Sequence, residues 1–563
     1  MSAAALARLF ALYVVALAVA CASVRGCVAL RVDPAHPAEI VATVWREGQP
    51  IARAIVARER DADDDPALTA ARATPGAALV YETVVAEGPV LARPELVFAL
   101  SIVAGVDGVK ARAKDGRVAY VTPDELLARQ AYDKDLTIPE LSLSIGTDVP
   151  LVLALLAERL DLPVPELRDT ATFRRVRVVR TLAARPNTPR LAPAPPPTPA
   201  TLRADEVRAA ALDAARYLAR GVRADGRFRY FVDAPTNRTL PGYDWPRHAG
   251  ATYFMAQAAA LSKEPELADA ARRAASLVRD AALVTCGEAR CVGEGDVVEI
   301  GSSALVLIAL VEIVRTGIDT SFAPLVKELA AFLRTQQRRD GEFMHQYDRH
   351  EGHPIDVQFL YFSGEATLAL ARAASLTSNA ADLDAASKGL AHLVGPAWSF
   401  FGDRYYFGEE HWTCQAMDDL WDRAPNETAL DFCVRWNAFS RGMQFGPDDT
   451  PWDADGAFGV SPIVTPRLTP VGSRCEAAVA TLDAARKAKL PKREQDALDL
   501  QLRRSLALLL RHQFRPGVAH LFADPHAVHG AMPGSPVDWQ LRIDYAQHAG
   551  SAMIRWLEVT RAE

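Results

Sequence analysis

The sequence predicts a mainly α-helical protein: a closed ring of twelve helices, six inside and six outside, preceded by a smaller α+β domain. Three observations predict it. At 563 residues the chain is too long for one ordinary core. The proline-dense stretch "RPNTPRLAPAPPPTPATLRADE" (Arg185–Glu206) forms neither a helix nor a central strand over most of its length, and so divides the chain. Beyond it, apolar residues recur at helical spacing in run after run, joined alternately by long and short connections. The expected organisation is a signal peptide over 1–20, an α+β domain over 32–184, a linker over 185–203 and the helical ring over 204–563.

The first residues read as a leader. Arg8 precedes the apolar run Leu9–Ala20, too short to span a bilayer comfortably and the right size for a signal-peptide core. The run ends in Ala18-Val19-Ala20, an A-x-A cleavage pattern, and Cys21 follows. That junction resembles a bacterial lipoprotein box, with Ala18 where leucine is usual. The expectation is an exported protein of the periplasm or cell envelope, touching membrane only through a lipid anchor at Cys21. Export permits disulfides, and "CGEARC" (Cys286–Cys291) suits a short disulfide loop or free thiols better than metal, because no partner pair stands at zinc spacing.

The α+β domain shows strand patterns at Ala78–Glu87 and Arg117–Val121, the second led into by an Asp-Gly hairpin turn in "KARAKDGRVAYV". Helices are expected from Thr122-Pro123, with proline at a first helical position, and over Asp148–Leu160. Its carboxylates and His36 form no recognisable constellation. The predicted ring helices are Ala204–Leu218, Ala249–Leu261, Pro265–Ala282, Ser302–Thr316, Phe322–Gln336, Gly364–Leu376, Ala380–Val394, Glu409–Trp421, Glu427–Ser440, Gly472–Lys487, Lys492–His512 and Tyr545–Arg561.

Six of these follow long loops and most begin with small residues: "RHAGATYFMAQAA", "GSSALVLIALVEI", "SGEATLALARAA", "EHWTCQAMDDLW", "GSRCEAAVATLDAA" and "QHAGSAMIRWLEV". A helical hairpin of this size cannot bury its apolar face alone, and stacking neighbours buries it. Six hairpins can close into a ring. "DWPRHAG" (Asp244–Gly250) and "DYAQHAG" (Asp544–Gly550) would then open the first and last inner helices, making His248 and His548 neighbours across the seam.

On these stretches, with "DGEFMHQY" and "YFSGEATLALARA", residues 201–563 resemble the (α/α)6 toroid of the six-hairpin glycosidase-like superfamily. That superfamily includes glycoside hydrolases, polysaccharide lyases and sugar epimerases, so the resemblance implies a glycan or polysaccharide partner. It is specific for architecture and weak for reaction. The zinc pattern of its lanthionine cyclase relatives is not met: "HWTC" supplies His411 and Cys414 but no third ligand. No cofactor and no metal are expected. The net charge of −7 carries no basic signature of nucleic-acid binding.

In such a ring the chemistry belongs at the mouth, where six helix N-termini converge. The predicted catalytic residues are Glu365, Asp244, His248, Glu410 and His411; the predicted substrate-binding residues are Trp245, Arg247, Tyr361, Trp412, Arg474, Asp544 and His548. Hydrolysis would pair Glu365 with Asp244, Glu410 or Asp544 as acid and base, with sugar rings stacking on Trp245, Tyr361, Tyr405, Tyr406 or Trp412. Lyase or epimerase chemistry would use Tyr361 or His411 to remove a proton while Arg247 or Arg474 met a sugar carboxylate. Plainer readings stand beside these. Glu365 can simply satisfy a helix N-terminus, each histidine can bond a loop carbonyl, and Asp418 and Asp419 can bond an adjacent loop. "HQYDRHEGH" (His345–His353) reads as a solvated loop before it reads as metal ligands, and so does "HLFADPHAVHG", although His526 and His529 could reach over the mouth. The rival to an enzyme is an envelope lipoprotein that binds glycan or peptide, or supports assembly, without turnover.

Overall fold

A computed structural model describes residues 39–132, 134–138, 141–183, 197–395, 411–450, 453–459 and 464–561. The leader with Cys21, most of the linker, and Tyr405, Tyr406, Glu409 and Glu410 lie outside the described residues.

The smaller domain is built on a six-stranded antiparallel sheet. From edge to edge the strands are Gln49–Val56, Ile40–Arg46, Ala78–Val90, Thr172–Leu182, Asp107–Arg112 and Val118–Val121. The Asp-Gly hairpin is present, with Val109 opposite Val121 and Gly116 at φ 90°, where a side chain would be strained. The helix Val149–Leu160 starts on an Asp148 cap that accepts the Leu151 amide at 3.0 Å. The Thr172–Leu182 strand escapes sequence reading because arginines interrupt its apolar pattern. Two of them, Arg175 and Arg177, are matched by the buried Asp107 carboxylate at 3.2 and 3.0 Å.

The inner helices of the larger domain are Trp245–Ser262, Ile300–Arg315, Phe362–Thr377, His411–Leu420, Thr469–Lys487 and Ile543–Arg561. The outer ones are Ala204–Arg220, Pro265–Ala281, Ala323–Thr335, Ala380–Leu393, Glu427–Arg441 and Lys492–His512. Each inner helix packs on the next and the last packs on the first, so the ring is closed. The division into layers follows from burial. Every residue from Ile300 to Ile313 is buried, whereas Pro265–Ala281 buries only one stripe, Leu267, Ala270, Ala271, Ala274, Ala275 and Val278.

The repeated seven residues mark the seam, but their glycines account for it. A Cβ on Gly550 would lie 2.0 Å from the Phe254 ring, and one on Gly250 would lie 2.9 Å from Gln547 Oε1. The first and last inner helices cross where only glycine admits the neighbour. Short sheets fasten the long loops together at the mouth: Phe231–Asp233 pairs with Arg238–Thr239 and Gln540–Arg542, and Val297–Glu299 joins Gln346–Asp348 and His353–Ile355.

The smaller domain docks on the loops that lead into the first and last inner helices. Trp45 meets His520 edge to face at 5.7 Å, and His520 Nε2 lies 2.8 Å from Asp124 Oδ2. The Glu47–Gly48 turn presses so closely that a Gly48 side chain would stand 3.0 Å from the Ala523 and Pro235 backbones. Two of its buried carboxylates are explained by such pairs: Asp124 also binds Arg180, and Glu125 binds Arg53 and Arg159.

Candidate active site

Where the inner helices begin, the ring opens into a cavity of about 890 Å³. Asp244, Trp245, Arg247, Tyr361, Glu365, His411, Trp412, Asp544 and His548 all line it, as the sequence reading anticipated. So do Glu294, Glu299, Arg542 and Gln547, which it missed; a lone polar residue near the start of a helix carries no signal until the ring aligns the helix starts.

Asp244 caps the first inner helix, taking the Arg247 amide at 2.9 Å and the Tyr230 hydroxyl at 2.7 Å. The Arg247 side chain then bridges Asp244 and Asp544, reaching the latter at 3.4 Å, while Arg542 holds Asp544 at 2.6 and 2.9 Å. Two arginines and two aspartates therefore neutralise one another across the seam. Trp245 donates its indole N–H to Glu294 at 3.0 Å, which fixes the ring on the wall. Tyr361 stands at the rim, and the exposed Phe359 and Leu360 stand beside it in the chain.

Glu365 sits in the first turn of the third inner helix with only 6 % of its surface exposed, and its Oε2 has no hydrogen-bond partner. Gly301 makes room for it: a Cβ there would be 2.7 Å from that oxygen. Burial raises the Glu365 carboxyl to about pH 8, outweighing His548 and Arg247, which pull it down. It is therefore a protonated acid at neutral pH.

Toward the floor, His411 and His548 approach edge to face at 5.3 Å between ring centres. Glu476, buried between their helices, places Oε2 2.8 Å from His548 Nδ1 and 3.9 Å from His411 Nε2. Among the described residues this is the group of ligand-type side chains that could hold a metal ion, with three donor atoms within 4.8 Å of one another. Of "HWTC" it uses His411 alone, because Cys414 is bound to Cys433 in a disulfide. The 2.8 Å contact already forms a hydrogen-bonded pair, so the donor set suits proton transfer as it stands.

Three expectations are corrected. His248 is fully buried and faces away from the cavity, with Nδ1 2.7 Å from the Tyr243 hydroxyl and Nε2 2.9 Å from the Ala274 carbonyl. Burial lowers it to about pH 4, so it is a neutral packing group joining an inner to an outer helix. Its helix does neighbour that of His548, but the two rings lie on different faces. Arg474 likewise leaves the mouth, bonding the Pro470 carbonyl at 3.1 Å and covering the Phe458 ring at 5.2 Å. Among the described residues Asp418 and Asp419 bond no loop; they meet Arg555 at 2.6 Å and Arg372 at 2.7 Å at the far end of the ring. In "HQYDRHEGH", His345 is buried and accepts the Phe359 amide at 2.6 Å, while His350 and His353 are exposed. His529 lies 3.8 Å from Asp213 of an outer helix, and neither it nor His526 lines the mouth cavity.

No protein-family model matches the chain, and no curated protein is similar to it. Solved structures are. A D-mannose isomerase matches at TM-score 0.47 and 12 % identity, over 63 % of this chain and 97 % of its own. A cellobiose 2-epimerase from Bacillus thermoamylovorans matches at 0.47 and 11 %, over 63 % and 98 %. An unsaturated glucuronyl hydrolase specific for heparin matches at 0.46 and 12 %, over 64 % and 99 %. At such identities the likeness concerns the course of the chain, and the chemistry rests on the side chains above.

Proposed function

We propose that the toroid is a sugar-modifying enzyme whose step is proton transfer at carbon, as in an epimerase or isomerase, on a neutral glycan or sugar. The observation that carries the reading is the His411–Glu476–His548 group under a cavity walled by a protonated Glu365. With Nδ1–H donating to the Glu476 carboxylate, His548 keeps its lone pair on Nε2, the arrangement a general base requires. His411 stands across from it as the partner that returns a proton. Glu365 supplies the acid that a developing enolate oxygen needs. Arg247 and Arg542 are matched by Asp244 and Asp544, which favours a neutral sugar over a uronate. Trp245, Trp412 and Tyr361 provide the aromatic faces on which sugar rings stack. The leader pattern and the Cys286–Cys291 and Cys414–Cys433 disulfides support an exported protein.

The test is solvent deuterium exchange. Neutral aldoses, ketoses and disaccharides are incubated with the protein in D2O, and incorporation next to the carbonyl is read by NMR. Exchange that His548→Gln and Glu365→Gln abolish, and His248→Ala retains, is the expected result. Glycan cleavage without exchange would assign Glu365 to hydrolysis instead, and neither outcome with intact sugar binding would make the toroid a binding protein.

A further inference from the structure

The far end of the ring, where the inner helices finish, holds a second cavity of about 600 Å³. We propose that it is a binding site for a neutral, polyhydroxylated ligand of mono- or disaccharide size, separate from the mouth. The inference does not depend on the reaction assigned above. Its charged side chains are already matched: Arg372 to Asp419 at 2.7 Å, Arg555 to Asp418 at 2.6 Å and Arg315 to Glu312 at 2.6 Å. A charged ligand would have to break one of these pairs at substantial cost.

What remains is a set of single donors and acceptors. Four atoms of residues lining this cavity have no hydrogen-bond partner: the donors Arg372 Nη1 and Gln415 Nε2, and the acceptors Gln257 Oε1 and Glu476 Oε1. Gln415 is only 8 % exposed and Glu476 only 2 %, and a buried polar atom left without a partner is costly. Their other atoms are committed. Gln415 Oε1 accepts from Arg372 at 3.3 Å, and Gln257 Nε2 donates to the Tyr253 hydroxyl at 2.7 Å. Two donors and two acceptors in one cavity are matched by hydroxyl groups, each of which both donates and accepts. The volume lies within the range of sites for small ligands. Glu476 lines this cavity and holds, through Oε2, His548, which lines the mouth, so a ligand here touches a residue that positions a mouth side chain.

The test is calorimetric titration of the full chain with glucose, mannose, cellobiose and maltose, and with glucuronate and glucosamine as charged counterparts. Ser375→Trp plugs the cavity from an exposed position on its lining, Gln415→Leu removes an unpaired donor, and Asp244→Asn alters only the mouth. Because the mouth is itself proposed to take a neutral sugar, wild type is expected to bind at two sites: Ser375→Trp loses one and keeps the other, Gln415→Leu weakens that same one roughly tenfold, the loss of about one buried hydrogen bond, and Asp244→Asn leaves it unchanged. A stoichiometry that Ser375→Trp leaves unchanged, a second site that Asp244→Asn abolishes, a second site that prefers a charged counterpart, or a single site in wild type would each overturn the proposal. Deuterium exchange at the mouth is read separately, so failure here leaves the proposed reaction standing, and the converse.

Discussion

Replacing Glu365 by glutamine isolates the carboxyl on which the proposed chemistry leans. Folding lifts its proton affinity from the ordinary pH 4.5 to about 8, because burial strips water from the charged form. A folded-state pKa raised above the unfolded one means stability that is complete below pH 4.5 and is lost as pH climbs through 8. Each pH unit inside that window is worth about 1.4 kcal/mol, so between pH 6 and pH 9 the wild type should lose about 3 kcal/mol that Glu365→Gln does not. Urea unfolding of both proteins at several pH values, followed by far-UV circular dichroism, measures the difference. Because glutamine keeps the shape and never ionises, the two curves should run together below pH 5 and diverge above it. A gap that stays constant within about 0.5 kcal/mol across pH 6–9 would mean that Glu365 ionises normally. The acid role in the mouth would then fail. The same proton predicts that catalytic activity falls as pH rises through about 8.

Other outcomes follow from the same geometry. His248→Ala should cost about 2–4 kcal/mol of stability through a lost buried bond and a cavity, with catalysis in the folded protein intact; differential scanning calorimetry beside the exchange assay separates the two. Gly550→Leu forces a side chain into Phe254 at the ring seam and should cost about 3 kcal/mol or more, read as a fall in melting temperature. Cys433→Ser opens the link between the fourth inner helix and its outer partner, a separation of 19 residues worth about 3 kcal/mol, and reductant, which also opens Cys286–Cys291, should lower the wild-type melting temperature at least as far. Asp124→Ala leaves His520 and Arg180 without their buried carboxylate and should cost about 3 kcal/mol, with limited proteolysis freeing the sheet domain from the ring.

The twelve helices were legible because each carries apolar residues at helical spacing, and most of the inner ones open on small residues after a long loop. The Asp-Gly hairpin and the capped helix after Asp148 were legible for equally local reasons. The mouth residues followed from a single inference, that helix starts converge in a ring, and it placed Asp244, Trp245, Arg247, Tyr361, Glu365, His411, Trp412, Asp544 and His548 in one cavity. What sequence could not supply is the angle at which a side chain leaves its helix. His248 and His548 share the same local context, yet one turns to the Ala274 carbonyl and the other to Glu476. Position along a helix fixes the turn, while facing depends on packing against helices tens to hundreds of residues away. For the same reason Glu476, buried between His411 and His548, could not be told from Arg474 two residues earlier. Sequence by itself determined the ring and the residues at its rim; only the closed ring decided which of them meet.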